Sequence, residues 1–155
     1  MDYTVRAARI TDIDKFVAIS GELIGSRGSG TALDAADMLR QLVYLPHASI
    51  LVAERRREIV GGAVLAIRPS VRAGGYVGSV DLLAVAPDAD ANAVTELLLE
   101  EALRSAANKG CSSVEAPRPN DPTERARWEE RGFTELGPRM GCTLAPAGAG
   151  GRRPR

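Results

Sequence analysis

The sequence is poor in the residues that build metal sites and redox centres. Cys111 and Cys142 are its only cysteines, they have no CxxC spacing, and the single histidine, His47, is close to neither. This spacing argues against a metal site or a redox dithiol and predicts two buried or half-buried free thiols. His47 follows Pro46 just before a predicted strand, where a lone histidine is more typical of a loop than of a catalytic base.

The chain also lacks an excess of either charge. Lys and Arg together number 20, and Asp and Glu together number 20. This balance predicts no basic face for nucleic acid and no attraction to an anionic membrane. No apolar run reaches the ~18 residues of a membrane span, and the opening residues do not resemble a signal peptide. We therefore expect a cytoplasmic protein whose partners include neither nucleic acid nor a membrane.

The apolar patterning predicts an α+β (mixed α/β) fold. Strand-like and helix-like runs follow one another in the order β-α-α-β-β-β-α-β-α-β-β, with hairpins first and a strand–helix–strand crossover later. The length fits one domain, which we place at residues 1–144. Residues 145–155 are rich in Gly, Pro and Arg and are predicted to form a disordered tail. The last two strands are predicted at Phe133–Leu136 and Arg139–Pro146.

Local signals predict where several elements begin and end. Thr11 is a candidate N-cap with Asp14 three residues later, in a capping-box-like pattern. Asp121 is a second candidate N-cap, followed by Pro122 at the first helical position. The segment GSRGSG at 25–30 predicts a flexible loop. The apolar positions predict one core that contains Leu83, Val85, Val64, Val94, Leu98 and Phe133.

Three strings, in this order and spacing, resemble the GNAT superfamily of acyl-CoA-dependent N-acetyltransferases. They are VRAARITDID at 5–14, VDLLAVAP at 80–87 and WEERGF at 128–133. The resemblance covers about Tyr3 to Leu144 and implies a central mixed β-sheet flanked by helices. It also implies transfer of an acetyl or other acyl group from acyl-CoA to an amine of a small molecule or peptide. Acetyl-CoA or another acyl-CoA would be the co-substrate without a metal, and a homodimer is compatible with the sequence.

The resemblance also implies where the cofactor would bind. In the family, the loop after the central strand reads Arg/Gln-x-x-Gly-x-Gly/Ala, and its backbone amides wrap the pyrophosphate. Aligning Pro87 with the family proline places Asp90, Ala93 and Thr95 at the three specified positions. Backbone groups of two strand residues would hold the pantetheine amides. The implied cofactor-binding residues are Leu83, Val85, Asp90, Ala91, Asn92, Ala93, Val94 and Thr95.

This loop departs from the family pattern in charge. Asp90 and Glu96 bring carboxylates toward a negatively charged ligand. One such contact at ~4 Å costs on the order of 4 kcal/mol at an effective dielectric of ~20. The dipole of the following helix returns only ~0.3–2 kcal/mol. The stretch Ala84–Leu103 therefore resembles a phosphate site in position but not in chemistry, and weak CoA binding is predicted. A second Gly-rich string, Ser26–Ala32, follows a helix rather than a strand and is interpreted as a loop near the acceptor.

The candidate catalytic residue is Asp81, in the predicted central strand. In some family members a Glu occupies this place and faces the acceptor channel. Apolar strand neighbours would desolvate the carboxylate and raise its pKa, as a general base requires. The other interpretation is an Asp that caps or pairs with an Arg near the end of the sheet, and both remain open. Trp128 stands where many members carry a Tyr acid, and it is interpreted as a packing residue or, alternatively, an aromatic lid.

Two functions remain open at this point. One is an N-acetyltransferase with an atypical CoA loop. The other is a non-catalytic domain of the same fold that regulates or binds a partner, with weakened or lost CoA binding.

Overall fold

The computed structural model describes residues 2–24 and 32–144. The loop predicted at 25–30, the Gly-rich string up to residue 31 and the tail predicted at 145–155 lie outside these ranges. The described residues form five strands and four α-helices, with short 3-10 turns at Ile10–Asp12 and Gly21–Leu23. The strands are β1 (Thr4–Ala7), β2 (Ala48–Arg55), β3 (Glu58–Ser70), β4 (Gly75–Val85) and β5 (Cys111–Glu115). The helices are α1 (Ile13–Ser20), α2 (Ala32–Leu42), α3 (Ala91–Asn108) and α4 (Pro122–Glu130).

The five strands form one mixed sheet in the order β1-β2-β3-β4-β5. Neighbouring strands are antiparallel except for β4 and β5, which are parallel and joined through α3. The predicted mixed α/β fold is therefore confirmed, and the hairpin predicted between β2 and β3 is present. Arg56 and Arg57 form its turn with φ values of 53° and 68°, the positive values that a tight two-residue hairpin connection requires.

The prediction of two C-terminal strands, at Phe133–Leu136 and Arg139–Pro146, is wrong for the residues of this segment that the structure describes. Residues 133–144 contain no strand, and those after Phe133 are exposed. Gly137 has a φ of 92°, and Pro138, which has no amide hydrogen to donate, follows it. The apolar alternation of this segment therefore does not face a core.

The core lies on both faces of the sheet. One cluster packs strand residues against α3 and Trp128 of α4, whereas the other packs them against α1 and α2. Val64 was predicted to share a core with Val94, but it lies in the second cluster. The reason is strand alternation: its neighbours Ala63 and Leu65 face α3, so Val64 faces α1 and α2. The other residues predicted for the core lie in or against the α3 cluster: Leu83, Val85, Val94, Leu98 and Phe133.

Two adjacent glycines in β3 allow helices to approach the sheet from both sides. A Cβ built on Gly61 would lie 2.9 Å from a methyl group of Val94, and one on Gly62 would lie 2.8 Å from the ring of Phe16. Because no side chain intervenes, α3 and α1 pack directly on the β3 backbone. This contact fixes the first turn of α3 beside the end of β4.

The entry into α1 differs from the predicted cap at Thr11. The Asp12 carboxylate instead accepts the backbone N–H of Arg9 at 2.7 Å and two hydrogen bonds from the guanidinium of Arg6, at 2.7 and 3.1 Å. These bonds tie β1 to the start of α1. The Arg6 guanidinium holds the pKa of Asp12 below its usual range, and the Arg9 amide lowers it further, whereas partial burial opposes both.

We expect the Gly62→Ala substitution to destabilise the protein. The added methyl would meet the Phe16 ring and the carbonyl oxygen of Leu51 at less than 3 Å, and overpacking of this kind costs about 1–3 kcal/mol. Urea unfolding would measure the loss. Gly75→Ala is the matched control, because a Cβ there would meet nothing within 4 Å. Equal stability of the two variants would contradict close packing of α1 on β3.

We expect Asp12→Asn to lower the free energy of unfolding by about 1–3 kcal/mol at neutral pH, because a charge-assisted hydrogen-bond network is lost. A carboxyl whose pKa is lowered by folding stabilises the folded state above its unfolded pKa. That contribution is lost as the pH falls through the folded pKa. The difference between wild type and variant should therefore shrink below about pH 4.

Urea unfolding at pH 7 and at pH 3 would test this pH dependence. Asp37→Asn is the control, since the Asp37 side chain is 65% exposed in its pair with Arg40 and surface pairs are worth little. A difference for Asp12→Asn that stays constant across this pH range would contradict the account.

Candidate functional site

β4 and β5 part before β4 ends, which leaves an opening beside the edge of β4. The parallel ladder between them runs from Tyr76 opposite Cys111 to Ser79 opposite Glu115, where β5 ends. β4 continues to Val85. Beyond Ser79, therefore, the edge of β4 that faces away from β3 has no strand beside it among the described residues.

The backbone groups of Leu83 and Val85 point into this opening. The Ala86 amide donates to the carbonyl of Val60 on β3 at 2.7 Å. Successive residues of an antiparallel strand direct their backbone groups alternately toward and away from the partner. With the observed register, Ala84 therefore faces β3, and Leu83 and Val85 present their N–H and C=O groups on the open side. Their side chains pack against the α3 cluster.

Asp81 lies at a β-bulge beside the point of parting. Val80 pairs with Leu65 and Leu82 pairs with Val64, so Asp81 is the extra residue. Asp81 is exposed to solvent. The expectation that its apolar strand neighbours desolvate the carboxylate is therefore wrong. A bulge re-aims a side chain and is common next to active sites. Its physical effect here is to hold a solvent-accessible carboxylate two residues beyond the last β4–β5 pair.

The first turn of α3 begins at the far end of the same edge. Asp90 is the N-cap, and its carboxylate accepts the N–H of Ala93 at 3.1 Å. This arrangement is the ordinary way in which an Asp satisfies a free amide of a first helical turn. The predicted phosphate loop is therefore a capped helix start, in which a carboxylate of the chain itself already accepts one of the helix amides.

The predicted loop residues differ in how they meet solvent. Asp90 and Asn92 are exposed, whereas Ala91 and Ala93 are partly buried. Val94 and Thr95 are buried, Val94 against β3. The Thr95 hydroxyl is enclosed and has no hydrogen-bond partner among the described residues. Its side chain therefore belongs to the core and is not available to a ligand.

A cationic group beside the cap was not found from the sequence. Tyr3, which immediately precedes β1, accepts the N–H of Asp90 through its hydroxyl at 3.0 Å and receives a second hydrogen bond from Arg55 at 3.4 Å. The Arg55 guanidinium lies 5.7 Å from the centroid of the Tyr3 ring and 3.7 Å from the carboxylate of Asp88. In the sequence, Arg55 is the first residue of the charged run RRRE at 55–58, whose simplest interpretation is a solvated hairpin turn. The only sequence signal was that turn, and nothing local linked it to the start of α3.

The charge of Glu96 is compensated across the helices. Its carboxylate pairs with the guanidinium of Arg131, which lies just past the end of α4. The expectation that Glu96 acts as an unopposed negative charge is therefore wrong. This pair also links α3 to α4.

Three further predictions have outcomes in the structure. Trp128 is buried and packs edge-on against Phe133, with ring centroids 5.0 Å apart, so its interpretation as a packing residue is confirmed. His47 lies in an exposed turn, as predicted. Cys111 is half-buried and free, but Cys142 is exposed, so the prediction of burial is wrong for Cys142. Burial raises the pKa of the Cys111 thiol.

Comparison with known proteins identifies the family of the chain. A family model described as the acetyltransferase (GNAT) family matches residues 21–133. The chain belongs to the GNAT acetyltransferase family. Among the curated proteins, none matches it in sequence.

Solved structures share the fold of this GNAT domain. A transcriptional regulator from Bacillus halodurans C-125 is 15% identical with a TM-score of 0.78, covering 92% of this chain and 100% of that chain. Glucosamine-6-phosphate N-acetyltransferase from Arabidopsis thaliana is 18% identical with a TM-score of 0.73, covering 94% and 100%. The aminoglycoside N-acetyltransferase AAC(6')-Iy in complex with CoA is 16% identical with a TM-score of 0.76, covering 92% and 95%. At these identities the likeness is one of fold.

The residues of this GNAT domain fit one half of an acyl-CoA better than the other. The pantetheine arm carries amides, and the free backbone groups of Leu83 and Val85 offer it strand-like hydrogen bonds. The pyrophosphate would instead meet the Asp90 carboxylate, which already accepts the Ala93 amide. In the described ranges there is no group of three His, Cys, Asp or Glu residues arranged for a metal ion, and no helix long and apolar enough to cross a bilayer.

Proposed function

We propose that this protein is an N-acyltransferase that moves an acetyl or similar acyl group from an acyl-CoA to an amine of a small molecule or peptide. The observation that carries the proposal is the parting of β4 from β5 after Ser79, with the backbone groups of Leu83 and Val85 turned into the opening. An extended chain with amides can pair with such an edge whatever the side chains are. Family membership supports the same reaction class.

The proposal assigns proton removal to Asp81. An amine acceptor is mostly protonated at neutral pH, and it attacks a carbonyl carbon only after losing a proton. Two observations support this role: Asp81 lies on β4 two residues past the last pair with β5, and it is exposed to water. It accepts the ammonium proton directly or through one water molecule, and the amine nitrogen is then free to attack.

The bound acyl-CoA would supply a thioester, whose C–S bond breaks as the bond from carbon to the amine nitrogen forms. Trp128 does not serve as the acid for the leaving sulfur, because its ring is buried against Phe133 and an indole N–H is not an acid at neutral pH. A thiol has a pKa of about 8.5, so the thiolate can leave without a protein acid and take up, directly or through water, the second proton that the attacking nitrogen loses. Orientation along β4 supplies much of the remaining rate.

A non-catalytic GNAT-fold domain is the second candidate. It is favoured by the Asp90 carboxylate at the start of α3 and by a buried Trp128 at the family's acid position. This candidate predicts that no amine is acylated even when the donor is bound. An assay of acetyl-CoA with a panel of small amines and N-terminal peptides, read as free thiol released, separates the two functions.

We expect Asp81→Asn to reduce turnover about 10²–10⁴-fold, the usual contribution of a general base. Affinity for the donor, measured by calorimetry, should stay within about twofold, since the strand edge is unchanged. Raising the pH should restore part of the lost rate, because more of the acceptor amine is then already deprotonated.

Glu100→Gln is the matched control for Asp81→Asn. Glu100 is an exposed carboxylate on α3 that pairs with Arg104, and its loss should leave turnover unchanged. If Asp81→Asn is as active as this control with an acceptor that works, Asp81 is a structural residue and another base must be sought.

A further inference from the structure

The start of α3 is a place where the chain's own carboxylates take the positions that phosphate oxygens would need. The Asp90 carboxylate accepts the Ala93 amide at 3.1 Å, and the Asp88 carboxylate lies 3.7 Å from the guanidinium of Arg55. A helix amide and a guanidinium are the two kinds of donor that bind phosphate best in proteins. Both are engaged by internal anions.

The donors at this place are linked to Tyr3, just before β1, and to the end of β2. The Tyr3 hydroxyl bridges the Asp90 amide and the Arg55 side chain, at 3.0 and 3.4 Å. The Arg55 guanidinium also lies against the Tyr3 ring and is only 20% exposed. The Arg55 cation is therefore connected to the N-cap residue Asp90 through the Tyr3 hydroxyl, and at this position it offsets the charges of Asp88 and Asp90. A pyrophosphate would have to displace both carboxylates. Its contacts with the amide and the guanidinium would therefore replace contacts that the chain already makes.

Among the residues that the structure describes, no carboxylate is hydrogen-bonded to the open edge of β4. Leu83 and Val85 present neutral backbone groups, and their side chains are packed away from the opening. The charge of Glu96, the remaining carboxylate of the first turns of α3, is already balanced by Arg131. The two ends of the site therefore differ. The backbone groups on the β4 edge are available for hydrogen bonds, whereas the donors at the start of α3 are already bonded to carboxylates of the chain.

We propose that the acyl donor is recognised through its pantetheine arm and that the nucleotide contributes little. The substrate class would then be pantetheine thioesters in general, with or without the nucleotide. This inference rests on the proposed function, since it uses the same site. The proposed function names acyl-CoA as the donor, whereas this inference specifies that the pantetheine arm is the part of the donor that the protein recognises.

Calorimetry of the wild-type protein with CoA and with reduced pantetheine tests the inference directly. The expected result is that the two dissociation constants agree within about tenfold, because phosphate contacts add little net free energy. CoA binding more than about a hundredfold tighter than pantetheine would overturn the inference while leaving the proposed function intact. Binding of neither compound at millimolar concentration would overturn both.

A pair of substitutions should create the missing nucleotide preference. Asp88→Asn with Asp90→Ser removes both internal anions, and Ser retains a good N-cap. Arg55 then no longer pairs with a carboxylate at position 88, and the Ala93 amide is capped by a neutral hydroxyl that a phosphate can replace, so CoA affinity should rise at least about tenfold while pantetheine affinity stays the same. The gain should fall at high salt and should be cancelled by adding Arg55→Gln.

Glu100→Gln is the control for this pair, because it removes one negative charge from the exposed face of α3. It should change neither affinity by more than about twofold, as expected for a screened surface charge. If the double variant binds CoA no better than this control does, the internal carboxylates are not what excludes the phosphates and the inference fails.

Discussion

The structure depends on a change of partner along one strand. β4 is bonded to β3 over its whole length, but it is bonded to β5 only as far as Ser79. Backbone N–H and C=O groups must find partners or water, so the remaining edge of β4 is a part of the sheet interior that still has hydrogen bonds to make. The bulge at Asp81 coincides with the change, and the neighbouring side chains of Leu83 and Val85 remain anchored under α3.

The packing beneath this edge explains why it stays in place. Gly61 and Gly62 let Val94 and Phe16 contact the β3 backbone from opposite faces. The start of α3 is thereby fixed next to the end of β4, and Tyr3 holds the intervening turn by accepting the Asp90 amide. A ligand pairing with β4 would thus meet a preformed surface, which lowers the cost of binding.

Patterns within short stretches of sequence were sufficient for much of the fold. The cap of α4 at Asp121, the early hairpins and the later strand–helix–strand crossover follow from local signals and are present. The two C-terminal strands were mispredicted because alternation alone does not show whether a core is there to bury it. The bulge at Asp81 could not be predicted either, because it is a property of the register between β3 and β4.

The location of the candidate site could be predicted from the sequence, but its electrostatics could not. The sequence showed carboxylates at the start of α3, but their partners lie far away along the chain. Arg131 is 35 residues from Glu96, and Arg55 is 52 residues from Tyr3. Electrostatics at the site depends on these long-range pairs, so counting charges in one loop overstated the repulsion from Glu96 and missed the cation beside Asp90.

Hydrogen exchange of individual β4 amides, followed by NMR, tests the central claim most directly. The open edge predicts that the Leu83 and Val85 amides exchange quickly in the free protein and at least about tenfold more slowly with saturating pantetheine. The amides of Leu82 and Ala84, which face β3, should be protected in both states. Strong protection of Leu83 and Val85 without ligand, or no change when pantetheine binds, would contradict the claim that this edge is where the donor pairs.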